Sequence, residues 1–262
     1  AVLAFAFLIV LSGCGDNLLE GVSDDDSDDA KMEEARMALD DADYGRAAQL
    51  LNDLLDGNPT DPQALAYLSH ACAGMAGLDT LDLLTIIDEL DENGRSGSID
   101  MVGLVLGDEE GDVAAGEVID KLDHLNDAID NLEQIEANNG SFTDDQKVQR
   151  GVLAVARIAM VIAEVIMADQ GSGDSIRLTE AGLEALYSGS PDFEGDVSTA
   201  HQESLADDIE AVQAAVLVLD EIGSDNDLSE DFQQFEQDLN PDDNTIISIE
   251  ELEAYVAGLV GG

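Results

Sequence analysis

Residues 144–168 have the sequence DDQKVQRGVLAVARIAMVIAEVIMA, which from Val148 onward is the most apolar part of the chain after its first residues. Thr143 and Gln146 have the spacing of a helical capping box, and the aspartates that follow Thr143 suit a helix N-terminus. Gly171 lies just beyond the end, where helices commonly stop. Because apolar residues occur all round this segment, it predicts a helix about 37 Å long that is buried on most sides.

A helix of this length and composition also has the dimensions of a membrane span. Arg157 and Glu164 interrupt it, and charged groups are costly inside a bilayer. We therefore expect a central core helix rather than a transmembrane one. Five of its apolar side chains should be shielded from water: Val152, Val155, Ala159, Ile162 and Ile166.

The helical pattern continues on both sides of this segment. Residues 114–137 repeat apolar positions at steps of three and four, and 199–222 is a further long helical candidate. Shorter helices are predicted over 78–90, 179–187, 229–239 and 249–259. Alternating strand patterns are limited to short segments such as 175–178. The sequence thus predicts an all-α fold of stacked antiparallel helix pairs around the long apolar helix.

Charge is the second constraint on the protein. Sixty acidic and nine basic residues give a formal net charge of −51, which repels nucleic acid and anionic lipid surfaces. Apolar residues make up 45% of the chain, so a core of ordinary size is expected. Aromatic residues are only 4%, which makes that core aliphatic. Such an acidic surface needs screening salt or bound cations, as in a saline habitat or a cation-rich exterior.

Residues 30–78 carry a pattern of small and apolar side chains typical of two helices in contact. They resemble a tetratricopeptide repeat, a helix pair that stacks on its neighbours. The positions of the second helix and of the closing proline are matched by Tyr44, Ala47, Leu51, Leu54 and Pro59. In the first helix, Ala35 and Ala38 replace the family's Gly and Tyr. A second unit begins at Pro62, with Leu65, Leu68 and Cys72 on one face. An unrelated helical hairpin is the alternative, and in either case later helices must cover the pair.

At the N-terminus, an uncharged apolar run over 1–11 ends in Leu11-Ser12-Gly13-Cys14. This pattern resembles the lipobox of bacterial lipoproteins, although no basic residue precedes the run in this sequence. The resemblance implies a signal peptide over 1–13 and a covalent lipid on Cys14. The acidic residues up to 30 should then form an extended tether. An ordinary signal peptide or a transmembrane anchor is the alternative. Gly15 is compatible with sorting to the outer membrane, facing the periplasm or the cell surface.

The C-terminal residues 240–251 resemble an EF-hand calcium loop. Calcium takes six to eight oxygen ligands, and this loop type supplies them at fixed positions. The resemblance implies the ligands Asn240, Asp242, Asn244, the Ile246 carbonyl, Ser248 and Glu251. Asn240 replaces the usual first aspartate and Thr245 the usual turn glycine, so a capped helix-loop-helix without calcium is the alternative. Residues 169–180 are a weak candidate for a partner loop.

No sequence motif of catalysis occurs. The chain has no HExxH metal motif, no GxSxG elbow and no phosphate-binding or dinucleotide-binding loop. Its three histidines are scattered along the sequence, and Cys72 lies in an Ala-rich apolar segment that predicts a buried structural thiol. We expect a protein that is not an enzyme.

The sequence therefore divides into a signal peptide (1–13), an acidic tether (14–30), a helical domain (31–228) and an EF-hand-like segment (229–262). The expected function is a lipid-anchored scaffold of the cell envelope that binds a protein or peptide partner, modulated by calcium. Two other functions stay open: an accessory lipoprotein of a periplasmic solute-uptake system, which rests on fold analogy alone, and an exported hydrolase with an unrecognised site.

The lipid anchor can be tested directly. Cys14→Ser, expressed with a complete signal, should move the protein from the membrane fraction to the soluble fraction, because several acyl chains on one residue hold a protein stably on a bilayer. Fractionation and immunoblotting of both proteins measure this. A wild-type protein that is already soluble after cell lysis would contradict the lipoprotein hypothesis.

Overall fold

The computed structural model describes residues 27–78, 113–169, 175–176, 191–222, 237–241 and 246–261. These residues form seven helices: α1 (Asp28–Asp40), α2 (Tyr44–Gly57), α3 (Pro62–Met75), α4 (Ala115–Asn139), α5 (Asp144–Asp169), α6 (Thr199–Ile222) and α7 (Ile249–Gly261). Two short strands, β1 (Val113–Ala114) and β2 (Ser175–Ile176), pair antiparallel with Val113 opposite Ile176. The predicted all-α fold is confirmed.

The long helices lie close to their predicted positions. The helix predicted over 199–222 has those bounds, and α4 and α5 each extend one or two residues beyond the prediction. The predicted helix over 179–187 lies outside the described residues, as do most of 78–90 and 229–239. The lipobox with Cys14 and most of the tether also lie outside them.

Polar caps explain where the helices begin. Thr143 and Gln146 form the predicted capping box of α5: Gln146 N–H donates to Thr143 Oγ1 at 3.3 Å, and Thr143 N–H donates to Gln146 Oε1 at 2.9 Å. Ser27 caps α1 by accepting from the Ala30 N–H at 3.2 Å. Because of this cap, α1 begins at Asp28, before the predicted start of the folded part at Lys31.

Each of the first five described helices packs against the next described one: α1 against α2, α2 against α3, α3 against α4, α4 against α5, and α5 against α6. The helix α1 also touches α3. All seven described helices contribute buried side chains to one large cluster, which includes Leu51, Leu65, Ile129, Leu205 and Val256. A smaller cluster, centred on Ala154 and Val212, lies between α5 and α6.

The helix α5 is the centre of this core. Its five predicted core side chains are only 2–6% exposed, which confirms the prediction, and every residue from Arg150 to Ala163 is buried. By length and composition α5 is the one described helix that could cross a membrane, but 89% of its most apolar window is buried inside the fold. That burial is what a core helix requires.

A glycine permits the close approach of α5 and α6. A Cβ atom added at Gly151 would overlap the Cβ of Ala215 and lie 3.2 Å from the backbone oxygen of Ala211. Small residues at a helix crossing let two backbones approach closely, so the α5–α6 distance depends on Gly151.

We predict that Gly151→Ala lowers the free energy of unfolding by about 1–3 kcal/mol, the usual cost of adding a methyl group to a packed core. Chemical denaturation measures this. Gly258→Ala in α7 is the matched control, because a Cβ there meets nothing within 4 Å and alanine is the better helix former. Equal stability of wild type and Gly151→Ala would show that the interface can relax by separating the helices.

Candidate functional site

The predicted metal loop leads into the first turn of α7, where Ser248 and Glu251 are joined. The Ser248 N–H and hydroxyl both donate to Glu251 Oε2, each at 2.7 Å, and the Glu251 N–H donates to Ser248 Oγ at 3.2 Å. This is a capping box, in which the N-cap residue and the third helical residue satisfy each other's backbone groups. It is also the arrangement expected of a capped helix-loop-helix that binds no metal.

Within the described part of the chain, only one of the two carboxylate oxygens of Glu251 is hydrogen-bonded. Glu251 is 9% exposed, and its Oε1 atom has no hydrogen-bond partner among the described residues. A buried carboxylate oxygen without a partner is costly, because it has lost its hydration without replacement. A hard cation such as calcium takes carboxylate oxygens as ligands and would satisfy Oε1. Glu251 therefore fits the role that the EF-hand resemblance gives it.

The other predicted ligands differ in burial. Asn240 is buried, and Ser248 is half-buried beside Glu251. Ile246 is 43% exposed, as suits a residue predicted to contribute only its carbonyl. Asp242 and Asn244 lie outside the described residues. In the part of the chain that the structure describes, no three His, Cys, Asp or Glu side chains are grouped to hold a metal ion. The predicted set also draws on amide, hydroxyl and backbone oxygens.

Apolar side chains on both sides of the loop anchor it to the core. Leu239 precedes it, Ile247 lies within it and Leu252, Tyr255 and Val256 follow it, and all are at most 5% exposed. Phe232 and Phe235, which precede the loop in the sequence, lie outside the described residues, as does most of the possible partner loop at 169–180. The ends of the loop are thus held by burial of the residues around them.

A second polar cluster, which the sequence analysis missed, lies between α4, α5 and α6. Asp208 of α6 is fully buried, and its Oδ1 accepts from Arg150 Nη1 at 2.9 Å and from Arg157 Nη2 at 2.8 Å. Its Oδ2 accepts from Arg157 Nε at 2.6 Å. Arg150 also donates to Glu133 of α4 at 3.3 Å, and Arg157 donates to Asn126 of α4 at 3.4 Å. We call Asp208, Arg150 and Arg157 the buried charge cluster; Asn126 and Glu133 lie at its edge, where the Glu133 side chain is 52% exposed.

Burial raises the pKa of the Asp208 carboxyl, while the hydrogen bonds and positive charges of Arg157 and Arg150 act in the opposite direction. Both oxygens of Asp208 act only as acceptors, which is the bonding pattern of an ionised carboxylate. The two buried arginines are then balanced by the buried Asp208 and by the partly exposed Glu133. Such balance and full hydrogen bonding are what allow a buried ionic group to persist.

The signal for this cluster was present in the sequence. Arg150 and Arg157 are seven residues apart and therefore on one face of α5, and Asp208 interrupts the apolar stripe of α6. Two arginines inside the most apolar helix of so acidic a chain require a buried acid. Pattern alone did not identify which of the sixty acidic residues supplies it.

The cysteine and two of the histidines lie in surroundings that suit structural roles. Cys72 is buried, and burial, helped by the negative charge of Asp127, raises the pKa of its thiol to about 12. The thiol therefore stays protonated and unreactive at neutral pH. His70 lies beside the Tyr44 ring, with the ring centres 6.4 Å apart. His201 Nε2 lies 3.5 Å from Glu164 Oε2, across the α5–α6 interface.

Comparison of the chain with protein-family models, with curated proteins and with solved structures finds no match. Function must therefore be inferred from the residues themselves.

The buried charge cluster generates a stability prediction. Asp208→Asn should lower the free energy of unfolding by about 3–5 kcal/mol, because two buried guanidinium groups lose the charge that neutralises them. Asp207→Asn is the matched control, since it makes the same change at the neighbouring exposed residue. Urea denaturation of both variants measures the difference. Equal destabilisation by the two substitutions would mean that the cluster contributes nothing beyond overall charge.

Proposed function

We propose that this protein is a lipid-anchored helical scaffold of the cell envelope that binds a protein or peptide partner and does not catalyse a reaction. The observation that carries the proposal is the packing order of the helices. Among the described helices, α1 to α5 each contact the next described one, as in helical-repeat proteins that present extended binding surfaces.

The first three helices support a repeat-like arrangement. The side chains at the tetratricopeptide-like positions Ala47, Leu51 and Leu54 of α2 are buried, and so are Leu65, Leu68 and Cys72 of α3. The contact of α1 with α3 is the one that a stacked second unit makes with the first. This pattern favours a stacked array over an isolated hairpin.

The surface charge suggests the chemistry of the partner. The exposed side of α4 is lined by carboxylates: Glu117, Asp120, Asp123, Asp127, Asp130 and Glu136. A surface of one sign attracts a partner of the opposite sign and speeds their encounter. We therefore favour a protein or peptide with a basic segment.

The binding function can be tested by affinity capture from envelope extracts at low and high salt. The lipidated chain should enrich a specific protein, and enrichment should fall as salt screens charges beyond about 10 Å at 0.1 M. Cys14→Ser is the control: this variant should no longer associate with membranes but should still capture the partner. Enrichment no greater than that of an unrelated acidic protein would contradict the scaffold proposal. Capture of transporter subunits would favour the solute-uptake alternative instead.

Calcium modulation is the second part of the proposal, supported by the Oε1 atom of the buried Glu251, which has no hydrogen-bond partner among the described residues. A specifically bound ion stabilises a protein by about 2.7 kcal/mol at a hundredfold excess over Kd, whereas screening depends only on ionic strength. We therefore expect calcium to raise the Tm above its value in sodium or magnesium at matched ionic strength. Thermal melting of the full chain measures this.

Glu251→Gln is the decisive variant, because it removes a negative ligand and keeps the size of the side chain. It should lose the calcium-specific increment and retain the response to sodium. Equal Tm values for both proteins in calcium would reduce the loop to a structural helix-loop-helix.

A further inference from the structure

The N-terminal half of α7 and the residue Ile247 just before it are attached to the rest of the protein by two hydrogen bonds. In the first, the Phe193 N–H donates to Glu253 Oε1 at 2.9 Å, and the Phe193 side chain is fully buried. In the second, the Ile247 N–H donates to the Gln202 carbonyl in the first turn of α6 at 3.5 Å, and the Ile247 side chain is also fully buried. We call these two hydrogen bonds, with the burial of both side chains, the α7 dock.

Glu251 lies between the two attachments along the chain. Ile247 comes four residues before it and Glu253 two residues after it, so all three belong to the loop end and first turns of one helix. Glu251 is held by Ser248 through Oε2, while its buried Oε1 has no partner in the described part of the chain. A ligand at Oε1 would fix the carboxylate from both sides.

We infer that cation binding at Glu251 is energetically coupled to the α7 dock, so that a divalent cation tightens the attachment of α7 to Phe193 and to the first turn of α6. This inference rests on the proposed calcium site. Fixing Glu251 restricts the start of α7, which carries the acceptor Glu253 and follows the donor Ile247. Coupling is reciprocal, so weakening the dock must weaken cation binding by the same factor.

Through α6 the dock reaches the centre of the fold. Gln202 is adjacent to His201, whose ring contacts Glu164 of α5. The same helix carries Asp208 of the buried charge cluster. The N-terminal end of α6, which contacts the α7 dock, is therefore part of the same helix that forms the α5–α6 interface. The acidic outer side of α4 is not part of the α7 dock.

The test compares two variants of the full chain in detergent, titrated with calcium by calorimetry at constant ionic strength. Glu253→Ala removes the acceptor of the Phe193 N–H. Glu250→Ala is the matched control, because it removes the same charge one residue before Glu251 but from an exposed side chain. We expect Glu253→Ala to weaken calcium binding at least about fivefold more than Glu250→Ala, the lower end of measured couplings between sites.

Hydrogen–deuterium exchange supplies the structural readout. Calcium should slow exchange in peptides covering residues 191–205 of wild type, and sodium at the same ionic strength should not. Equal affinities of the two variants, with protection confined to 246–251, would overturn the coupling and leave the calcium site intact. No calcium binding by wild type would overturn both the site and the coupling.

Discussion

A single buried carboxylate, that of Asp208, constrains the packing of the described helices. Asp208 has no exposed surface, and an isolated charge in that position would cost far more than a protein of this size can tolerate. Arg150 and Arg157 offset much of that cost, because together they give both oxygens of Asp208 charge-assisted hydrogen bonds. Since both arginines belong to α5, the lengthwise position of α6 against α5 is fixed within a residue or so. Sliding either helix by one turn would leave three charges buried without partners.

At the α5–α6 interface, apolar packing and polar contacts have different roles. Along α5, Gly151 meets Ala215, Arg157 meets Asp208, and Glu164 meets His201. The three positions on α6 are seven residues apart and run opposite to α5, so the helices pack antiparallel with a regular repeat. Burial of aliphatic side chains supplies most of the stabilisation. Apolar contacts alone would permit several registers, and the polar contacts select one.

Much of this architecture could be predicted from the sequence. Strong periodicity and caps located α4, α5 and α6 to within two residues, because a long amphipathic pattern averages out local exceptions. The Thr143–Gln146 capping box was predictable because it depends only on neighbours in sequence. The Asp208 cluster was not, since it joins residues more than fifty positions apart in a chain rich in equivalent acids. In the candidate metal loop, the contact of Ser248 with Glu251 joins near neighbours in the sequence. The attachment of α7 to Phe193 and Gln202 joins distant residues, and no sequence pattern indicated it.

The distribution of charge gives the interior and the surface different responses to ions. Arg150 and Arg157 are two of only nine basic residues, and both are used inside the fold, so little positive charge remains to offset the acidic exterior. Charges in the interior are shielded from salt, whereas repulsion between exposed carboxylates falls as ionic strength rises. The α5–α6 interface should then hold its geometry over a range of salt, and the peripheral parts should respond to it. Glu251 lies at the boundary between these regimes: it is buried like the interior charges, but no described arginine pairs with it. Among the described acidic side chains it is therefore a place where a specific cation, rather than diffuse salt, has something distinct to stabilise.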